Sequence, residues 1–344
     1  MIKIKIHNQF YDRNELTFRG LHFARRVLRD FSIELTDSND FDFLFVGMMD
    51  FYDMNLSIED SVEWGLKNLE KITDGGDYFL VDGQDSTSLF GAYDTFEKSD
   101  AIYLLTNCKL FNREEYKTPY FTNKFFFGEG GDVSYDIPQN LWDRIKLTGW
   151  NVGYWNPNYS KLQPINTEKT VDVSAMYNIG NQSKTYQHKV RNDIYYTRHR
   201  QGALDKLKTL TSKYNVEMGK RDLSEYYNIT HNSKICLSPF GMGEIGEKDY
   251  EAMMLGTIIL KPFCDRVDSY PKMMIEDETY IPCEHDWSDL EEKIDYILTN
   301  FKELNEKIVT NCRKYYIENF THESIGKYLY DMFNELDTVT TEES

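Results

Sequence analysis

At 344 residues with 40% hydrophobic content, the chain can bury two ordinary cores, and it holds no apolar run long enough to cross a bilayer. Its formal net charge of −18 disfavours extended contact with DNA or RNA, which needs a basic face to displace counterions, and strong adhesion to an anionic membrane. The five cysteines are odd in number, widely spaced and free of any C-x-x-C pair, so reduced thiols fit better than disulfides or a zinc site.

The opening MIKIKIHNQF alternates apolar and polar residues as a strand does and lacks the apolar core of a signal peptide, which predicts a cytoplasmic protein. Strands are expected at Ile2–Ile6, Phe43–Gly47, Tyr78–Asp82 and Ala101–Leu105, with helical patterns at Phe18–Arg29 and Ile58–Lys71 between them. Such alternation reads as a parallel α/β domain, because parallel strands need crossover helices. Asp40-Phe41-Asp42 precedes its strand, whereas a metal-binding Asp-x-Asp would follow one, so no essential protein-bound metal is expected. The strand Tyr78–Asp82 runs into a loop carrying Asp85, at the carboxyl end where α/β proteins place ligands. Asp85 is the candidate general base, because Asp82 lies closer to the strand and suits backbone N–H groups; an Asp-Gly turn with a following cap is the structural alternative.

Trp150–Pro164, rich in Asn, Tyr, Trp and Pro, reads as a linker, which divides the chain into a first domain over 1–160 and a second over 165–318. The second domain repeats the theme, with strands at Val171–Met176, Asn215–Met218, Ile235–Phe240, Thr257–Leu260 and Thr279–Pro282. Helices are expected near Arg200–Ser212, Glu247–Leu255 and Trp287–Asn300. An amphipathic helical region, Phe301–Leu336, should break near Asn319–His322, giving a terminal helix over 319–336 that packs back on the first domain. The polar residues 337–344 are expected to be disordered.

Ser233–Pro262, SKICLSPFGMGEIGEKDYEAMMLGTIILKP, carries the most information. It reads as a strand, a loop with Gly241, Gly243 and Gly246, a helix whose unpaired N–H groups face that loop, a glycine stop at Gly256 and a second strand. This looks like a site for a phosphorylated ligand, with an ordinary glycine-containing βα turn as the structural alternative. Glu244, Glu247 and Asp249 would repel a phosphate, and Lys248 is the one cation in the loop, so further positive charge must come from elsewhere. Arg191 and Arg198-His199-Arg200, near the start of the first helix of the second domain, are the candidates, with Arg200 preferred.

Ser233-Lys234, Gly241-Met242-Gly243, Lys248, Tyr250-Glu251-Ala252 and Gly256 together resemble the exostosin-like and CgeB-like branch of the GT-B glycosyltransferases, over about Val171 to Tyr330. The resemblance implies two Rossmann-like parallel-sheet domains facing a cleft, with a C-terminal helical extension. It implies metal-independent transfer of a hexosyl or pentosyl group from a nucleotide-diphosphate donor, UDP-linked, to a hydroxyl of a glycan, lipid-linked or other acceptor, with no further cofactor. Within it, Glu251 would accept hydrogen bonds from the ribose hydroxyls, Arg198 and Arg200 would bind the diphosphate, and Gly241, Gly243, Glu244 and Lys248 would complete the donor site. Many relatives carry a glutamate where this chain has Gly243, and Glu244 stands one residue later. Two alternatives remain at this stage: a phage-type glycosyltransferase acting on hydroxymethylated DNA bases, and a catalytically inactive nucleotide-sugar-binding module.

Overall fold

The computed structural model describes residues 1–7, 11–48, 58–83, 86–89, 91–118, 134–150, 165, 168–179, 195–241 and 243–342. Asp85, Arg191, Met242 and linker residues 151–164 lie outside the described residues.

In the first half, helices α1 (Tyr11–Leu28), α2 (Ile58–Thr73), α3 (Ala92–Glu97) and α4 (Gln139–Trp142) alternate with strands β1 (Ile2–His7), β2 (Ile33–Thr36), β3 (Phe43–Gly47), β4 (Tyr78–Asp82), β5 (Leu104–Thr106), β6 (Cys108–Leu110) and β7 (Ile145–Leu147). Six of the strands form a sheet in the order β2-β1-β3-β4-β5-β7, parallel throughout. Central β4 is buried along its whole length, which is why its sequence YFLVD is continuously apolar until the final Asp82.

The second half contains α5 (Tyr195–Lys208), α6 (Leu223–His231) and α7 (Glu247–Leu255), and strands β8 (Val171–Ala175), β9 (Val216–Met218), β10 (Ser233–Leu237), β11 (Ile258–Pro262), β12 (Val267–Ser269) and β13 (Ile281–Cys283). Five of these strands form a second parallel sheet, β13-β11-β10-β8-β9. In both sheets the first strand of the half sits beside the third, so the strand order reverses between β1 and β3 and between β8 and β10. The crevice outside the carboxyl ends at such a reversal is where open α/β sheets bind ligands.

Helices α8 (Leu290–Thr299), α9 (Phe301–Leu304), a π-helical turn at Asn305–Val309, α10 (Thr310–Asn319) and α11 (His322–Glu342) complete the described chain. The break before α11 is capped by Thr321, whose hydroxyl accepts the Ser324 N–H at 3.1 Å. Helix α11 lies on the first sheet: Phe333 stacks on Phe43 at 5.1 Å and meets Phe79 edge-on, and the Tyr328 hydroxyl donates to the Leu147 carbonyl. It continues to Glu342, past the point at Asp337 where the polar composition predicts disorder. No glycine or proline interrupts those residues, and a helix already nucleated gains a hydrogen bond with each added residue.

Several strand limits shift from the expected ones. The strand expected over Ile235–Phe240 is β10, which begins two residues earlier, at Ser233, and ends three residues earlier, at Leu237, since Pro239 has no N–H to continue the ladder. The Ala101–Leu105 expectation moves to Leu104–Thr106, and Thr279–Pro282 to Ile281–Cys283. One feature has no sequence counterpart: β6 from the first half pairs antiparallel with β12 from the second, Leu110 opposite Val267 and Cys108 opposite Ser269. With α11, this ladder ties the two sheets into a contiguous core that runs from Ile4, Phe45 and Phe79 to Val173, Ile235 and Ile259. All five cysteines are free and buried, and no described helix is long and apolar enough to cross a membrane.

Candidate functional site

The chain leaves β10 at Ser238 and winds through the glycine loop into α7. Asp249, in the first turn of that helix and 1% exposed, ties both ends of the loop together. Its Oδ1 accepts the Ser238 hydroxyl at 2.7 Å, and its Oδ2 accepts the Gly246 N–H at 2.9 Å. The charge is balanced by Lys261 on β11, also 1% exposed, whose Nζ lies 3.0 Å from Asp249 Oδ2 and 5.1 Å from the centre of the Phe240 ring. Sequence reasoning passed over this pair. The signal was present: a lysine inside the buried run IILKP must meet an acid, because an unpaired buried ammonium is costly.

Two cations meet at the β8/β10 reversal. Arg200, on α5, donates from Nε to the Phe240 carbonyl at 3.0 Å and from Nη1 to the Asn178 carbonyl at 2.7 Å, clamping the segments that follow β10 and β8. Lys248 reaches back from α7 over the Tyr177 ring, 4.6 Å from its centre. It donates to the Leu237 carbonyl at 3.0 Å and the Met176 carbonyl at 3.4 Å, at the carboxyl ends of the same strands. Burial pushes the Lys248 ammonium below its ordinary range, and Arg200 pushes in the same direction. Arg198, two helical positions from Arg200, is exposed. Gly241 leaves room for this guanidinium, since a Cβ there would stand 2.4 Å from Arg200 Nη2 and would push it aside. Gly256 ends α7 at φ +69°, a left-handed conformation that favours glycine.

Glu251 is 7% exposed and faces α6. Its Oε2 accepts the Tyr226 hydroxyl at 2.6 Å and its Oε1 the Tyr227 hydroxyl at 3.3 Å. Glu244 turns the other way, toward the first sheet. Its two oxygens accept the hydroxyl and N–H of Thr87, at 2.6 and 3.0 Å. The structure thus brings Arg200, Gly241 and Lys248 to one crevice and sends Glu244 across the interface to the loop after β4, whose described residues 86–89 are all buried. Asp82, at the end of β4, is fully buried. The Asp40-Phe41-Asp42 acids lie at the amino end of β3, where Lys3 pairs with Asp40 and its N–H reaches Asp42 at 2.7 Å. Among the described residues no group of three or more His, Cys, Asp or Glu side chains is arranged to hold a metal ion.

Beneath the loop, His199 packs between Trp287 and Phe240, with ring centres 4.6 and 5.8 Å away, and is 9% exposed. Burial, with His285 and Lys261 as lesser causes, pushes its imidazole down from the ordinary 6.5 to about 3. Because the folded-state value lies below the unfolded one, the neutral ring's contribution to stability is complete above pH 6.5 and is lost as pH falls toward 3. His199 is therefore expected to remove about 2 kcal/mol of unfolding free energy between roughly pH 6.5 and pH 5. Urea titrations at the two pH values should show a smaller difference for His199→Phe than for the wild type; equal differences would refute the assignment.

No protein-family model and no curated protein matches the sequence. Solved structures share its fold. HepE from Anabaena, in complex with UDP, aligns with a TM-score of 0.50 at 10% identity, over 97% of this chain and 100% of its own. A sucrose-phosphate synthase from Thermosynechococcus elongatus aligns with a TM-score of 0.51 at 12% identity, over 98% of this chain and 100% of its own. The chain shares the α/β fold of these structures, and its own described residues form two parallel sheets with flanking helices.

Proposed function

We propose that this chain is a GT-B glycosyltransferase that moves a sugar from a UDP-linked donor to a hydroxyl acceptor. The observation that carries the reading is the placement of Arg200 and Lys248 at the carboxyl ends of β8 and β10, where a parallel sheet of this order binds its ligand. The full-length likeness in fold to HepE, which was solved with UDP, supports a uridine nucleotide at this position. The closer kinship to the exostosin-like and CgeB-like branch rests on the sequence pattern around Tyr250-Glu251-Ala252.

In this reading the acceptor oxygen forms a bond to the anomeric carbon. The bond from that carbon to the diphosphate breaks, and UDP leaves with the electron pair. Arg200 and Lys248 supply the positive charge that the departing diphosphate needs, each already held by two main-chain carbonyls, so little reorganisation accompanies the reaction. Gly241 and Gly243 let the backbone approach the diphosphate, and Glu251 accepts the ribose hydroxyls. Arg198, exposed on the same helix as Arg200, adds long-range attraction for the anionic donor. Asp85, three residues beyond β4 in sequence, is the proposed base that takes the acceptor proton.

Thermal unfolding with a panel of UDP-, GDP-, CMP- and TDP-sugars tests the reading. A UDP-sugar at about a hundred times its dissociation constant should stabilise the fold by ~2.7 kcal/mol. No shift with any member of the panel would overturn the donor site. Gly241→Ala offers a finer probe, because the new methyl group must displace the flexible end of Arg200 while leaving the rest of the loop intact. UDP affinity is expected to fall about tenfold or more, equivalent to one charge-assisted hydrogen bond, with the unfolding midpoint of the ligand-free protein nearly unchanged.

A further inference from the structure

We propose that Glu244 and Thr87 form a latch through which the glycine loop of the second sheet fixes the position of the loop after β4 in the first. Glu244 is 1% exposed and Thr87 fully buried, and the carboxylate gives both oxygens to the threonine, at 2.6 Å to its hydroxyl and 3.0 Å to its N–H. A buried carboxylate is tolerated only where hydrogen bonds replace its water, so the two loops hold each other in register.

The other side of Thr87 is fixed as well. Its carbonyl accepts the Tyr116 hydroxyl at 2.7 Å, and that hydroxyl oxygen accepts the Leu110 N–H of β6 at 2.9 Å. Strand β6 pairs with β12 from the second half of the chain. The connection therefore runs from the second half of the chain to the first and back: glycine loop, Glu244, Thr87, Tyr116, β6, β12. The neighbouring Ser88 N–H bonds to the Ser86 hydroxyl at 3.0 Å, and residues 86–89 are all buried. Glu244 acts through Thr87 and is a positioning residue. Resting on the donor reading above, the latch makes occupancy of the glycine loop felt at the loop after β4, on the acceptor side, because ordering one partner of a buried hydrogen-bonded pair restrains the other.

Hydrogen exchange on the full chain, with UDP as the probe, tests the proposal. Without ligand, Glu244→Gln should speed exchange at amides 86–89 roughly tenfold, and Thr87→Val should do the same at 243–246, while β4 and β10 stay protected. The double variant should add little to either single change, because both remove one interaction. Thr87→Ser, which keeps the hydroxyl, should exchange like the wild type. With UDP, both loops should slow in the wild type, but only 241–246 should slow in Glu244→Gln. The latch is overturned if Glu244→Gln and Thr87→Val both leave the opposite loop unchanged, or if UDP protects 86–89 equally in the variant and the wild type. If the ligand-free arms respond while UDP protects neither loop, the latch stands and the donor reading fails.

Discussion

Lys261→Met is expected to lose about 3–5 kcal/mol of unfolding free energy, because it leaves Asp249 charged and buried beneath the glycine loop. Both partners are 1% exposed at a separation of 3.0 Å, so solvent screens neither. The methionine fills most of the volume, which assigns the loss to the abandoned charge more than to a cavity. Combining it with Asp249→Leu should recover part of the loss, since no uncompensated charge then remains. The rescue should be incomplete, because Asp249 also accepts from Ser238 and Gly246 and so holds the loop closed. Urea unfolding of the wild type, both single variants and the double variant measures the cycle. A loss below about 1 kcal/mol in Lys261→Met would show that Asp249 finds another partner or takes up a proton.

Glu251→Ala is expected to raise the dissociation constant of UDP roughly 10- to 150-fold, the equivalent of about 1.5–3 kcal/mol for a hydrogen bond to a charged acceptor. The same variant should bind a UDP analogue lacking both ribose hydroxyls no worse than the wild type does, because the groups that Glu251 would accept are absent from that ligand. Tyr226→Phe should weaken UDP binding by a smaller factor, since the 2.6 Å bond from Tyr226 aims one carboxylate oxygen without itself touching the nucleotide. Calorimetric titration of both nucleotides against the three proteins separates these effects. Equal losses for UDP and the analogue in Glu251→Ala would place Glu251 in the architecture of α6 and α7 and away from the ribose.

The legible parts of this molecule are those in which neighbours in sequence are neighbours in space. Helix α7 was readable to the residue, because Gly246 and Gly256 bracket it. Strands β3 and β4 were readable because a fully buried parallel strand shows as a continuous apolar run. The short β6 and β12 gave no such signal: three residues carry too little periodicity, and their partners lie in the other half of the chain. At the site, the sequence singled out Arg200, Lys248, Glu244 and Glu251 as chemistry-bearing residues. It did not say that Glu244 points at Thr87, 157 residues away, or that Tyr226 and Tyr227 hold Glu251 from 24 or 25 residues upstream.

The sequence by itself determined the alternating α/β order, the strand–glycine loop–helix unit and the free state of its cysteines, all of which follow from local spacing and composition. Tertiary structure alone decided that Arg200 and Lys248 meet where the strand order reverses, that Lys261 neutralises Asp249, and that one loop acid serves the opposite sheet. The reason is physical. Hydrophobic periodicity specifies which face of an element is buried, but the partner of a buried charge is chosen by how the crossover connections fold one strand beside another.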